Sequence, residues 1–288
     1  MRRSLVATAA GLLGVASLGL VPAFTAVSGA QAHGHGYDVS WPQCGRALPG
    51  DGAFRIVGVN GGRPYTDNRC LGVQYEWAKG APAAAFYVNT ANPGTATRAL
   101  DWHAQRSPDP GCSQSNETAC AYNYGYNGAR LAFAYAQAET GAASNHSWWL
   151  DVETMNSWSS DKALNVASIS GALAYLRTEN VPIGVYSTGY QWGVITGGAS
   201  MPELPNWVAG ARNGEQAATW CGPERSFTGG PVALVQWVQD DLDHNHACLP
   251  LPVSTAAAPS VRVAPSLAAL LKDVLTLNLP KLLRDLGS

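Results

Sequence analysis

The segment Trp148-Trp149-Leu150-Asp151-Val152-Glu153-Thr154 sets two carboxylates, two positions apart, at the end of an apolar run. Residues two apart on a strand point to the same side, with backbones roughly 6.5–7 Å apart. Carboxylates in an apolar setting are costly to bury and must be solvated, paired or used. A solvated strand end or an ion pair is the plain reading, and an acid–base pair is the chemical one. Asp38 has a similar setting in Gly36-Tyr37-Asp38-Val39-Ser40-Trp41, and Asp240, Asp241 and Asp243 follow Val232–Val238. If the sheet closes on itself, its first and last strands are neighbours, and Asp38 approaches Asp241 or Asp243. Crowded carboxylates raise one another's proton affinity, so one stays protonated beside a charged neighbour. Glycoside hydrolysis needs such a set, with one acid to protonate the departing oxygen and one negative group to support or attack the oxocarbenium centre.

The elements that would hold these groups are short apolar runs, apolar on both faces, as buried parallel strands are. They cover 36–41, 54–60, 83–89, 148–153, 183–187, 207–209 and 232–238, with a weak further strand near 218–221. Helical patterns fall between them at 71–79, 129–140 and 163–179, the last with Asp161 as N-cap. The alternation implies βα units. It favours an α/β fold of the closed (β/α), TIM-like barrel kind, irregular in places, although an open sheet satisfies the same pattern. The polar, Tyr-rich stretch 107–127 reads as a long loop before a helix. Residues 253–265, rich in Ala, Pro and Ser, read as a linker. Residues 266–288 read as a C-terminal amphipathic helical arm with leucines on one face, ended or kinked at Pro280.

Taken in order, these segments resemble glycoside hydrolase family 25, the lysozyme-like muramidases. That family's first strand carries Gly-x-Asp-Val-Ser, present as Gly36–Ser40. Its fourth strand ends in Asp-x-Glu, present as Asp151–Glu153. Pro182–Ser187, Trp207–Ala209 and Val235–Trp237 with the following Asp-Leu look like its fifth, sixth and eighth strands. The resemblance implies a secreted glycosidase that cuts the β-1,4 bond of peptidoglycan without a cofactor. It casts Glu153 as general acid and Asp151 as the group that stabilises the positive transition state or orients an N-acetyl group. Asp38 would sit beside them. Asp241 would be the late aspartate, with Asp243 as the alternative, and Tyr87 and Tyr186 would line the sugar site, although core packing explains those tyrosines equally well. The chain departs from the pattern at Trp41-Pro42 and at Asn60-Gly61-Gly62, which bear on glycan specificity and make Asn60 a candidate substrate contact. A barrel that binds wall glycan without turnover, or a glycosidase for another extracellular polysaccharide, fits the same motifs.

Composition narrows the setting. Arg2 and Arg3, the uncharged apolar run from Leu5 to Phe24 and the small-x-small Ala30-Gln31-Ala32 read as an export signal over 1–32, cleaved after Ala32. Residues 33–252 then form the barrel, a secreted or wall-associated monomer without a stable membrane span. With 18 basic and 20 acidic residues in the chain, no basic face is expected for nucleic acid. Six cysteines, all after the signal, imply disulfides in an oxidising compartment. Cys112–Cys120 is the expected pair because the two are close and flank a polar loop, and Cys44–Cys70 and Cys221–Cys248 are the pairing taken for the rest. No CxxC pair is present, and His33, His35, His244 and His246 read as solvated loop residues, so no metal is expected. The 10 tryptophans suit sugar stacking, though most tryptophans in any chain fill core.

Overall fold

The structure, a computed structural model, describes residues 31–94, 108–112 and 117–252. All but the last two positions of the expected export signal, the linker and the C-terminal arm lie outside the described residues.

Eight strands close into a barrel in sequence order. They are β1 (Gln31–Val39), β2 (Phe54–Gly58), β3 (Ala83–Asn89), β4 (Ser147–Asp151), β5 (Ile183–Ser187), β6 (Asn206–Ala211), β7 (Val232–Gln239) and β8 (Leu242–Pro252). The helices are α1 (Leu71–Ala78), α2 (Glu117–Thr140), α3 (Lys162–Thr178), α4 (Gly189–Thr196) and α5 (Gly214–Thr219). Strands β1 to β7 pair in parallel, each with the next. The sheet is buried on both faces, and β2 and β4 are buried at every position. Inward positions such as Phe54, Ile56, Ala85, Trp149, Trp207 and Leu234 fill the barrel. Outward positions such as Val57, Phe86, Trp148, Leu150 and Val185 pack with helix residues including Leu71, Phe133, Ile169, Leu176 and Trp192.

Closure differs from an all-parallel plan. β7 turns directly into β8, which runs antiparallel to both β7 and β1. The turn residues Asp240 and Asp241 have φ of 52° and 57°. A two-residue hairpin of type I′ has positive φ at both central positions, and Asp is among the few non-glycine residues that tolerate it. The run 232–238 is therefore the seventh strand and not the last. The expected strand near 218–221 is replaced by α5, whose N-cap Asn213 accepts from the Gln216 amide. β1 starts at Gln31, so the expected cleavage point after Ala32 falls inside it.

The stretch 107–127 is not a loop throughout, because α2 has begun by Glu117. Tyr, Asn and Gly are weak helix formers, and here packing overrides them. A Cβ on Gly125 would stand 1.8 Å from the Ser168 carbonyl, and one on Gly171 would stand 1.9 Å from the Tyr122 carbonyl. The two bare backbones let α2 and α3 touch. Helix α3 starts as expected, with the Asp161 carboxylate accepting from the Ala163 amide.

The disulfides are Cys44–Cys70, Cys112–Cys120 and Cys221–Cys248. The first ties the loop after β1 to the start of α1, and the third ties the segment after α5 to β8. His35 and His244 are strand residues, not solvated loop ones. Their rings stack, with His35 Nε2 2.9 Å from His244 Nδ1. Among the described residues, no helix is long and apolar enough to cross a membrane.

Candidate active site

Toward the C-terminal ends of the parallel strands, the inward positions turn from apolar to polar. That end carries the active site in (β/α) barrels. Asp38 on β1 is register partner of Asp243 on β8, and Asn89 on β3 is register partner of Asp151 on β4, which in turn faces Tyr186 on β5. Glu153 lies two residues past the end of β4. The sequence separations are large, but a closed ring makes these positions neighbours.

Asp38 is buried, and a single oxygen carries its hydrogen bonds to amides. Asn245 Nδ2 donates to Asp38 Oδ2 at 2.6 Å, and Gln236 Nε2 donates to the same atom at 3.0 Å. Each amide is fixed at its other end. Asn245 Oδ1 accepts from Trp207 Nε1 at 2.7 Å, and Gln236 Oε1 accepts from the Tyr186 hydroxyl at 2.8 Å. Burial pushes the Asp38 carboxyl up, as do the charges of Asp243 and Glu153, while the two amides oppose that rise.

Asp151 is also buried. Asn89 Nδ2 donates to its Oδ2, and Thr90 Oγ1 donates to its carbonyl at 2.6 Å. Its Oδ1 is buried with no hydrogen-bond partner among the described residues. Burial raises its proton affinity first, then the charges of Glu153 and Asp38, with Asn89 opposing. Glu153 is more open. Gln191 Nε2 lies 3.4 Å from its Oε1, and Trp158 Nε1 donates to its carbonyl at 2.7 Å. Burial raises the Glu153 carboxyl, and the Gln191 amide lowers it.

Of the two late aspartates, only Asp243 joins this set. Strand alternation sends its side chain inward, and burial, reinforced by Glu153, lifts its carboxyl to about 6. Asp241 is exposed in the hairpin turn, where its carbonyl accepts from Arg46. The expectation that placed Asp241 first is corrected by the hairpin geometry.

Tyr87 and Tyr186 are half-buried beside the carboxylates, and burial together with those charges raises both phenols. Asn60 does not present its amide to the mouth. Its Nδ2 donates to the Thr66 carbonyl at 3.2 Å, and its Oδ1 accepts from the Asn89 backbone amide at 2.8 Å. Its polar ends are committed to backbone, so it holds Asn89 in place and reaches Asp151 only through it.

Residues that sequence reasoning missed are the amides Asn89, Gln191, Gln236 and Asn245. One signal was present. Gln236 interrupts the apolar β7 run at an inward position, where an unpaired amide would be costly. Among the described residues, one group has metal-ligand proximity, Cys221, His246 and Cys248. Both sulfurs are in a disulfide, so neither is a thiolate.

The raised Asp243 carboxyl makes a stability prediction. A carboxyl whose folded value lies above its unfolded value of about 3.8 contributes fully below pH 4 and loses that contribution as pH rises to about 6. Ionised Asp243 therefore costs stability at pH 7, on the order of 1–3 kcal/mol. Asp243→Asn should raise the Tm at pH 7 and leave it unchanged near pH 3.5, as read by calorimetry at both values.

A family model described as "Lysozyme-like protein 1" matches residues 116–220. The "Probable GH family 25 lysozyme 4" of Dictyostelium discoideum is 40% identical over 62 residues, 21% of this chain and 29% of that protein. The match thus spans under a third of the curated relative. Among solved structures, the chain is similar to a muramidase from Trichobolus zukalii, with a TM-score of 0.45 and 16% identity over 74% of this chain and 92% of that one. It is also similar to a family GH25 lysozyme from Aspergillus fumigatus, with a TM-score of 0.48 and 13% identity over 74% and 93%.

Proposed function

From the lysozyme-like, glycoside hydrolase family 25 homology that part of this chain carries, we propose that the protein is an extracellular glycosidase acting on the β-1,4 linkage of peptidoglycan. The observation that carries the reading is the convergence of Asp38, Asp151, Glu153 and Asp243 on one end of the barrel. Four carboxylates this close share protons, so the set titrates as a unit and not as four independent acids. Proton donor and counter-charge then come from one residue type.

The roles follow from exposure and contacts. Glu153 is only partly buried, unlike Asp38 and Asp151, and has Gln191 Nε2 3.4 Å from its Oε1, which suits a general acid that must reach a glycosidic oxygen. Asp151 has one oxygen held by Asn89 and one without a partner. The partnerless oxygen is enclosed, so its charge acts on a developing positive centre through space. Asp38 has two amide donors on one oxygen, which holds the carboxylate's orientation against crowding. Asp243 adds negative potential that raises the proton affinity of Asp38. No step calls on a metal or cofactor.

Three disulfides fit an oxidising, extracellular setting. The alternative of a barrel that binds wall glycan without turnover draws on the Asn60 region and on the Cys112–Cys120 loop; the Asn60 amide is committed to backbone. The test is to incubate the purified protein with cell-wall sacculi and assay new reducing ends. Release of muramic-acid reducing ends supports the reading. Sedimentation with sacculi and no soluble sugar would sink it in favour of the binding protein. Release from other polysaccharides alone would move the substrate class.

A further inference from the structure

Asp38 is served by two hydrogen-bond relays that cross the barrel interior, each made of inward residues on alternate strands. One runs from Tyr186 on β5 through Gln236 on β7. The other runs from Trp207 on β6 through Asn245 on β8. Both end on Asp38 Oδ2. Asp38, Gln236, Asn245 and Trp207 are all buried, so these contacts are shut off from bulk water.

The two relays differ in one chemical respect. A tyrosine hydroxyl both donates and accepts, so Tyr186 would serve Gln236 with the amide turned either way round. An indole N–H only donates. Trp207 Nε1, 2.7 Å from Asn245 Oδ1, therefore fixes which end of that amide faces it. The Asn245 NH₂ must point to the other side, where its Nδ2 lies 2.6 Å from Asp38 Oδ2. Turning Asn245 over would set two buried donors face to face with no acceptor between them, which a dry site penalises. The indole is itself wedged. Its centroid lies 4.7 Å from that of Tyr186, 5.7 Å from that of Trp149 and 6.2 Å from that of Tyr87, edge-on in each case.

A carboxylate oxygen has two acceptor positions, and on Asp38 Oδ2 the two amides use both. To take a proton there, Asp38 must give up one amide, and only Gln236 is free to turn. Resting on the glycosidase reading for its use in turnover, we propose that Trp207 is a positioning residue that acts through Asn245. It keeps a permanent hydrogen-bond donor on Asp38 and so steers the proton shared by the crowded carboxylates away from Asp38 and toward its neighbours. The titratable groups that face Asp38 are Asp243 on β8, Asp151 at the end of β4, Glu153 just past it, Tyr87 on β3 and Tyr186 on β5. Burial and the charges of Asp243 and Glu153 favour a proton on Asp38, and the amides are what oppose it. Keeping Asp38 the charged member also favours the protonated form of Glu153, the group that must give a proton up.

The test follows the Asp38 carboxyl directly, by carbon-13 NMR of the full chain with aspartate labelled at Cγ, titrated from acid to alkaline pH. The Asp38 resonance is the one missing from Asp38→Asn. Asn245→Leu, which removes the donor and nearly keeps the volume, should raise the Asp38 midpoint by about one pH unit. Trp207→Phe should raise it in the same direction, by roughly half as much or more. The double variant should go no further than Asn245→Leu alone, because Trp207 reaches Asp38 through Asn245. Circular dichroism with Tm shows that each variant is folded. Should Trp207→Phe fail to fold, benzothienylalanine at position 207 takes its place with the same expected rise, since it keeps both rings and replaces the N–H with sulfur. The proposal is overturned by an Asp38 midpoint in the position-207 variant equal to or below the parent's, or by shifts that add in the double variant. Failure of the glycosidase reading is separate, because this titration needs no turnover. A chain whose Asp38 midpoint moves as expected, yet never releases reducing ends from sacculi, loses the turnover assignment and keeps the Trp207 relay.

Discussion

Replacing Glu153 with Gln should slow release of reducing ends from sacculi about 10²–10⁴-fold while leaving the fold and glycan binding in place. Gln has the volume of Glu and keeps an oxygen for Gln191 Nε2, which lies 3.4 Å from Glu153 Oε1. What it lacks is a proton to give. In the parent, burial raises the Glu153 carboxyl, so the acid form persists to higher pH than an ordinary glutamate allows. The alkaline side of the kcat/KM profile then reports loss of that proton, as a property of the coupled set. In Glu153→Gln the residual rate should no longer fall on that side, because no acid is left there to lose its proton. A rate within a fewfold of the parent, with the alkaline fall retained, would move the proton donor to another member of the set. Asp243 would then be the first to examine, since its carboxyl is lifted to about 6.

Parts of this molecule were plain in the sequence for a physical reason. Strands 83–89 and 183–187 have the bounds read from sequence, because a parallel strand buried on both faces is an unbroken apolar run between polar or proline-bearing breaks. Asp161 was legible as a cap because capping is local, with donor and acceptor two residues apart. β8 was not legible. Leu242–Pro252 mixes acid, histidine, asparagine and proline, and its place depends on a hairpin turn formed by two non-glycine residues at positive φ. The same blindness hid the site's second half. Asp38, Asp151 and Glu153 stand out because charge in an apolar run is rare, whereas Gln236 and Asn245 are common surface types. They become informative only once the ring brings them to a carboxylate far away in the chain, at separations of 198 and 207 residues. Asn60 failed in the opposite direction. A polar residue at a strand end invited a ligand role, but backbone groups use both of its ends.

Asp151→Asn should lower activity about 10²–10³-fold, the usual cost of removing one preorganised electrostatic partner of a transition state. It should also make the protein more stable at pH 7. The two signs have one cause. Asp151 is buried beside Glu153 and Asp38, and all three effects raise its proton affinity, with only Asn89 opposing. Its folded carboxyl therefore lies above the unfolded value, and its contribution to stability is fully present in acid and lost as pH rises through the folded value. At neutral pH the ionised group is a charge held in place against its surroundings. The introduced amide would still accept from Asn89 through its oxygen. Each kcal/mol recovered should appear as a Tm rise of about 2–4 °C in a chain of this size, vanishing near pH 3.5 where the parent carboxyl is protonated. A residue kept for packing or for an ion pair would behave in reverse, with Tm falling on substitution and activity falling in proportion. Loss of turnover accompanied by a gain in Tm is the combination expected of a carboxylate retained for chemistry at the expense of the fold.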